Sequence, residues 1–447
     1  MTKITRGMFL FACVLSVVPA TAVSEDLLSV YELARDYDKT FSAAENSYKA
    51  VQQTQQQANG LYYPNLSVSY EHSETDQEIV RSENEVFGSG ESDFPTDTAA
   101  VTLSQPVFRM DFFRERSIAK AEVRQAEYEF VAAEQELMLR TAEAYLLALA
   151  ARDNEAVTRA ELEAVGRQLE MAQKRLEVGM ADATEVHESR ARYELNQAEA
   201  LQAENEVIDR LEALRTITGQ IPRSLDPLQD EFSMTPPDPA DPEAWVDRAL
   251  ENNLSINARE AAVDAARAEH KRQRADRYPK LDLVASYENR DTGGSLFGGG
   301  SEVNTAEVMV RAQWDIFEGR VRGGRIKEAM YNMQRAQDEL KLEHDRVRRK
   351  TRNAYLGVVN SIARARALKS SLEAQRITVR AKEKGFETGA NSNLEVLDAK
   401  RDLYFVERDY LEARYDYLLS TLNLKLQVGQ LSPDDLRRID NLLQSAG

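Results

Sequence analysis

The sequence predicts an α+β protein in which long α-helical hairpins are combined with four β-strands, and in which the whole arrangement occurs twice along the chain. Three observations lead to this prediction. Two stretches of more than sixty residues lack proline and are rich in Ala, Glu, Leu, Arg and Gln, four short segments alternate apolar and polar residues, and several motifs recur at a nearly constant offset. These patterns are typical of helix, of strand and of internal duplication, respectively.

The first residues predict a secretory signal at residues 1–22. Basic residues precede an apolar run from Met8 to Val18, and Ala20-Thr21-Ala22 provides a small-residue cleavage site. The run is too short to cross a bilayer as a helix. Cys13 is the only cysteine, so the mature chain is expected to hold neither a disulfide nor a cysteine metal site. A lipoprotein signal that ends at Cys13 is the weaker alternative, because apolar residues continue past it.

The composition argues against two classes of protein for the mature chain, nucleic-acid-binding proteins and helical membrane proteins. Removal of Lys3 and Arg6 with the leader changes the formal net charge from −18 to −20, which argues against nucleic acid as a partner. Beyond the leader no segment approaches eighteen consecutive apolar residues, so a helical membrane span is not expected. If the exported chain enters a membrane, strands closed into a barrel are the remaining way to do so.

The chain is predicted to consist of two structural repeats. The pair Tyr63-Pro64 recurs as Tyr278-Pro279, an offset of 215 residues, and Lys174–Gly179 recurs as Lys384–Gly389, an offset of 210 residues. Unrelated helical regions would not keep the offset nearly constant through helix, strand and turn, so duplication is the better explanation. The predicted divisions are a first repeat at 23–219, a proline-rich linker at 220–242, a second repeat at 243–430 and a C-terminal tail at 431–447.

Each repeat is expected to begin with a helix of moderate length that ends at the Tyr-Pro pair, because the residue before proline is pushed out of helical geometry. Two alternating strands joined by a polar loop follow. The helices are expected at residues 28–61 and 242–277, the strands at 66–70, 99–104, 281–287 and 306–314, and the loops at 71–98 and 289–304. One apolar and one polar face suit equally a barrel wall between lipid and water and a half-buried soluble sheet.

A long helix and a returning helix complete each repeat. The stretches 111–178 and 322–388 lack proline, and at 1.5 Å per residue they predict rods of roughly 100 Å. Each rod is expected to turn at a glycine, Gly179 or Gly389. The returning helices are expected at residues 185–218 and 394–428. Helices of this length pair laterally as coiled coils, so the dominant unit is a long hairpin that occurs twice.

Four strands are too few to close a barrel, for which about eight are needed. An open four-stranded sheet in lipid would leave unpaired backbone groups at both edges. Several copies must therefore share one barrel, and three copies give twelve strands with twelve long helical segments. The sequence thus predicts an α+β membrane protein, a hollow homotrimer that joins a 12-stranded transmembrane β-barrel to a barrel of α-helices.

These residues resemble the TolC family of outer-membrane efflux proteins. The resemblance rests on the duplicated halves, the two Tyr-Pro pairs, Gln105–Phe108 and Gly389–Leu403, and it covers essentially all of the mature chain. It implies an outer-membrane exit duct of a Gram-negative bacterium that extends into the periplasm and serves a tripartite efflux pump or a type I secretion system. The implied partners are outer-membrane lipid, a periplasmic adaptor protein and an inner-membrane pump. The family implies no cofactor and no catalysis.

The resemblance also implies a constriction at the hairpin turns. Glu395 and Asp398 match the acidic constriction residues of the family, with Glu395 in place of the more familiar aspartate, and they share a helix face because they are three residues apart. In three chains they would form two rings of carboxylates, a cation-selective constriction. The alternative is that both are solvated surface acids, which are common in a chain this acidic.

A polar latch is expected to hold the tip shut. Glu185 matches an acidic member of the family's latch, whereas Phe386 and Asn391 stand where a tyrosine and an arginine are familiar. Neither replacement supplies the same link, so the latch is expected to be weaker or built otherwise. Arg190 and Lys384 are the candidates, although each also fits an ordinary surface charge.

Other classes of function fit less well. An enzyme is not expected, because the four histidines lie far apart without ligand spacing and no serine nucleophile motif is present. A periplasmic coiled-coil adaptor would share the signal and the long hairpins, but it would not need four alternating strands at matched positions. A structural envelope protein would lack a lumen. The cargo is set by the pump, which the sequence does not name.

Overall fold

The computed structural model describes residues 26–78, 80–81, 91–222, 224–294 and 299–443. The predicted secretory signal at residues 1–22 lies outside the described residues. None of the helices in this part of the chain has an apolar stretch of the length that crossing a bilayer requires. In chain order the elements are α1 (Leu27–Tyr37), α2 (Lys39–Gly60), β1 (Asn65–Glu78), β2 (Glu91–Phe108), α3 (Met110–Glu177), α4 (Ala183–Thr218), α5 (Pro242–Asn252), α6 (Leu254–Ala275), β3 (Lys280–Thr292), β4 (Ser301–Gln313), α7 (Val321–Glu387), α8 (Asn393–Gln427) and α9 (Pro433–Asp440).

Both long hairpins are confirmed. Helices α3 and α7 contain 68 and 67 residues, which at 1.5 Å per residue makes each roughly 100 Å long. Gly179 and Gly389 end them with φ angles of 75° and 78°, a left-handed conformation that a Cβ atom disfavours. The chain then returns as α4, which packs on α3, and as α8, which packs on α7.

The prediction of one moderate helix at the start of each repeat is wrong, because each is broken into two. The breaks lie at Asp38, between α1 and α2, and at Asn253, between α5 and α6. Asp38 accepts a hydrogen bond from the Phe41 backbone N–H at 2.7 Å, and Asn253 accepts one from Ser255 at 2.9 Å. These side chains cap the second helix of each pair. The two breaks are 215 residues apart, which is also the distance between the two Tyr-Pro pairs.

The strands form one antiparallel sheet in the order β1-β2-β3-β4. The predicted loops were too long, because β1 continues to Glu78 and β2 begins at Glu91, while β3 continues to Thr292 and β4 begins at Ser301. Backbone hydrogen bonds extend the ladders beyond the apolar segments, and polar side chains pair across them. Tyr70 and His72, for example, both hydrogen-bond the Asp97 carboxylate, at 2.6 and 2.8 Å.

The register divides the sheet into an apolar and a polar face. Val101 lies between Val68 on β1 and Tyr287 on β3, and Ala285 lies opposite Val308 on β4. This apolar face is the open one, since Val68 and Val308 are 77% and 75% exposed. A soluble half-buried sheet would cover its apolar face. The sequence left this point undecided, and the exposure of the face favours the barrel wall.

The core lies where the hairpins cross the shorter helices. Tyr145 on α3 and Tyr415 on α8 are almost fully buried there, with Leu27 of α1 and Leu436 of α9. Within the predicted C-terminal tail at 431–447, residues 433–440 are thus a docked helix. The Asp440 carboxylate accepts hydrogen bonds from the first backbone N–H groups of α1, at 2.8 and 3.1 Å. These two hydrogen bonds satisfy N–H groups that have no partner within α1, and they tie the C-terminal helix to it.

The proline-rich segment between the repeats is packed on the helices. Leu225 and Leu228 are buried in the same core as α9. Leu228 forms a β-bridge with Leu443, and the Gln229 backbone N–H donates to the Leu442 carbonyl at 2.9 Å. The proline-rich segment and the described residues after α8 therefore pack together in one core with the long helices.

Candidate functional site at the hairpin turns

The two hairpin turns lie close together because α8 packs against both α3 and α4. Asn393, at the start of α8, is the residue that joins them. Its amide donates to the Ser189 hydroxyl on α4 at 2.8 Å and accepts from the Gln168 amide on α3. All three side chains are buried, with at most 5% exposed. Buried hydrogen bonds of this kind fix a unique arrangement, because breaking one leaves its partner unsatisfied.

Sequence reasoning missed this three-residue bridge. The available signal was a polar residue on an apolar helix face, since Asn393 precedes Val396 and Leu397 at the spacing of one helical turn and all three are buried. Gln168 similarly shares the buried stripe of α3 with Ala164. Such residues are expected to be hydrogen-bonded to one another, but the sequence does not name the partner.

Glu395 is engaged within its own hairpin. Its carboxylate accepts hydrogen bonds from the Ser392 backbone N–H at 2.9 Å, from the Asn391 amide at 3.0 Å and from the Lys382 ammonium at 2.9 Å. Together with the Ser392 hydroxyl this is a capping box that starts α8. These partners, the backbone N–H first, lower the pKa of the Glu395 carboxyl to about 2. The side chain remains exposed and ionised.

Asn391 therefore has a role that differs from that of the arginine familiar at this position. It ties the turn to Glu395, and it lies so close to Gly385 that a Cβ atom on that glycine would overlap its side chain. The turn between α7 and α8 is thus a closely packed unit.

Asp398 and Phe386 link the two hairpins. The Asp398 carboxylate accepts from the Arg192 guanidinium on α4 at 2.8 Å, and Arg401 lies 3.6 Å away. The Phe386 ring lies under the Arg175 guanidinium of α3, 4.7 Å from the ring centroid, in a cation–π contact. An aromatic ring without a hydroxyl can therefore still join α7 to α3.

The remaining predicted latch residues are not brought together. One oxygen of Glu185 is buried without a hydrogen-bond partner among the described residues. Neither Arg190 nor Lys384 forms an ion pair within the described part of the chain, where Arg192 and Lys382 do. Choosing among these four cations needed the rotation of each helix about its axis, which spacing alone does not give.

The turns offer polar and cation–π contacts between helices. Over the described ranges, no three His, Cys, Asp or Glu side chains come together in a way that could hold a metal ion. Long paired hairpins, a sheet with an exposed apolar face and polar links at the hairpin turns define a class of protein, the membrane channels whose helical part extends away from the bilayer.

The chain belongs to the outer membrane efflux protein family, which matches it at residues 30–220 and again at 245–430. It is 29% identical to the outer membrane protein TolC of Vibrio cholerae, over 95% of each chain. It is 28% identical to the alkaline protease secretion protein AprF of Pseudomonas aeruginosa, over 96% of this chain and 90% of that protein.

Solved structures share the fold. The outer membrane channel CmeC of Campylobacter jejuni superposes with a TM-score of 0.79 at 15% identity, over 94% of this chain and 90% of that one. The outer membrane protein VceC of Vibrio cholerae superposes with a TM-score of 0.75 at 18% identity, over 90% and 96%. The protein is therefore an outer-membrane exit duct for efflux and secretion whose helices extend into the periplasm.

Proposed function

We propose that three copies of this chain form one hollow duct that carries cargo from a periplasmic adaptor and an inner-membrane pump across the outer membrane. Each copy supplies a four-stranded third of a 12-stranded barrel and two hairpins of the helical tunnel. The cargo classes of the relatives, proteases for AprF among them, are the candidates for this chain. A periplasmic adaptor and a structural envelope protein are the competing functions.

The exposed apolar face of the sheet carries this proposal. Strands β1 and β4 are the open edges of the sheet, and each would leave unpaired backbone groups in lipid. Pairing β4 of one copy with β1 of the next removes every edge after the ring closes. The polar face then lines a wet lumen that continues into the helical tunnel.

The links at the turns support a gate at the far end of that tunnel. The bridge at Asn393, the Asp398–Arg192 pair and the Phe386–Arg175 contact all join the second hairpin to the first. Outward movement of the second hairpin would break these links, and an adaptor that binds the opened arrangement better would drive it. Glu395 instead keeps its own turn intact during the movement, because its partners lie on the same hairpin.

The mass of the protein extracted from outer membranes, corrected for bound detergent, tests the assembly. Three chains with channel conductance in planar bilayers is the expected result, whereas a soluble monomer would overturn the duct.

Two variants at adjacent positions of β4 test whether the apolar face of the sheet contacts lipid. Val308→Lys places a charge on the apolar face and should cost roughly 2–4 kcal/mol near the bilayer midplane, whereas Met309→Lys on the polar face should leave assembly intact. Equal behaviour of the two variants would refute a lipid-facing sheet.

A further inference from the structure

A basic groove lies directly beyond the strands, between α2, α3 and α6. It consists of two pockets of about 580 and 320 Å³ that share Arg114 and Lys271. The larger pocket adds Lys120, and the smaller adds Arg274 and Arg277. None of these five cations forms an ion pair with another described residue, although the chain as a whole has a formal charge of −18. A concentration of unpaired positive charge in so acidic a protein indicates an anionic ligand.

The remaining charges of the groove do not cancel this excess. Arg124 and Arg267 share a single carboxylate, Asp264, at 2.5 and 2.8 Å. Glu127 is the other acidic residue that lines the groove. Its walls come from helices of one chain, with α3 packed on both α2 and α6, so a neighbouring copy is not needed to complete it.

The basic side of α3 is opposite to its acidic side. Arg114, Lys120 and Arg124 follow one face of the helix, whereas Asp111, Glu115 and Glu122 follow the other and line a separate pocket.

The acidic side continues the polar face of the sheet. Asp111 lies 4.0 Å from the Lys280 ammonium, and Arg109 bridges Asp111 and Asp282 at 2.9 and 3.6 Å. Lys280 and Asp282 alternate with apolar residues along β3 and belong to the polar face. The basic groove therefore lies on the side of the apolar face, which is the outside of the duct.

Exposed aromatic side chains mark the level of this groove. Tyr63, Phe113, Tyr278 and Trp314 are between 53% and 70% exposed, and all lie within a few residues of a junction between strand and helix. Exposed aromatic rings at the ends of lipid-facing strands mark the boundary between bilayer and water. Arg114 follows the start of α3 by four residues, or about 6 Å. It lies where the phosphates of a bilayer would be.

We infer that this groove binds the phosphate headgroup of an anionic phospholipid from the periplasmic leaflet, an inference that rests on the proposed membrane position of the sheet. Arg114 and Lys271 hold the phosphate, because both pockets share them. The arginine and lysine stems reach along the helices, so their charged ends meet the headgroup while the acyl chains lie on the apolar face of the sheet. The lipid would then fix the depth and tilt of the duct.

Lipid binding to the detergent-solubilised assembly, counted by native mass spectrometry, tests the inference. The probes are dioctanoylphosphatidylglycerol and dioctanoylphosphatidylcholine, which differ in headgroup charge. The wild-type protein should prefer the anionic lipid. The double variant Arg114→Gln/Lys271→Gln should bind it roughly thirtyfold more weakly, about 2 kcal/mol at ~1 kcal/mol for each basic residue. The control Arg349→Gln/Lys350→Gln removes the same charges from an exposed part of α7 and should bind as the wild type does.

Each other outcome overturns the inference. Equal binding of the two lipids by the wild-type protein would remove the preference, a result that does not depend on any variant. An equal loss of lipid binding in the control variant would mean that the net charge of the protein, and not the groove, determines the affinity. Displacement of the anionic lipid by millimolar inorganic phosphate would assign the groove to a free anion. Conductance of the same preparations is measured separately, so a duct that conducts without lipid preference contradicts only this inference.

Discussion

Replacing Asn393 with alanine should open the hairpin turns. The change removes the hydrogen bond to Ser189 and the one from Gln168, and it leaves both partners buried without a replacement. Each buried group that loses its partner costs about 1–3 kcal/mol, whereas in the opened tip water satisfies it. The closed state should therefore lose roughly 2–6 kcal/mol in each chain. That free energy corresponds to a shift of about thirtyfold to twenty-thousandfold toward the open state.

Single-channel recording in planar bilayers measures the effect. The variant should show larger conductance or longer open periods without an adaptor, while its trimer mass is unchanged. Asn252→Ala is a matched control, because Asn252 is exposed on α5 and its amide bonds only a carbonyl of its own helix, at 2.9 Å. An Asn393→Ala trimer that conducts like the wild type would refute the argument that this bridge holds the tip closed.

Three further predictions concern charge, pH and backbone. Alanine at both Glu395 and Asp398 should reduce cation selectivity and cation block in bilayer recordings, and unchanged selectivity would remove them from the pore. Burial, and then Asp26, raise the pKa of Asp440 from 3.8 to about 6. The folded protein takes up a proton there as the pH falls, so the contribution of Asp440 to thermal stability should rise from about pH 7 to about pH 4, and Asp440→Asn should remove that contribution from the pH profile relative to wild type. Gly389→Ala should cost the turn about 1–2 kcal/mol, seen as faster amide exchange there, because its φ is 78°. By contrast, Gly323→Ala in α7, where the added Cβ meets no atom within 4 Å, should be neutral or stabilising.

Much of the fold follows from local rules that the sequence states directly. Freedom from proline and high helix propensity over 68 residues give α3 its length, and the glycine after it ends it. The alternation of apolar and polar residues with a period of two predicts the strands, and the repeated Tyr-Pro pairs indicate the duplication. The breaks at Asp38 and Asn253 were missed, because their capping side chains compete with long helical patterns on either side. The strands are longer than predicted, because the backbone hydrogen bonds between strands do not require apolar side chains.

The candidate site, like the fold, could be predicted from the sequence only in part. Resemblance and spacing located Glu395 and Asp398 near one turn, and the capping box around Glu395 is a local motif that the sequence contains. The partners of Asp398, Phe386 and Asn393 come from residues about 200 positions earlier in the chain, such as Arg192, 206 positions from Asp398. Which cation meets which acid depends on how α4 and α8 are rotated against each other.

The sequence by itself determined the repeat, the long hairpins and the alternating strands, because each depends on neighbours in the chain. Only the tertiary structure decided that the apolar sheet face is open, that Asn393 joins the turns and that unpaired cations gather beside the strands. These features require side chains from distant segments to meet, and their contacts are set by packing and register rather than by local propensity.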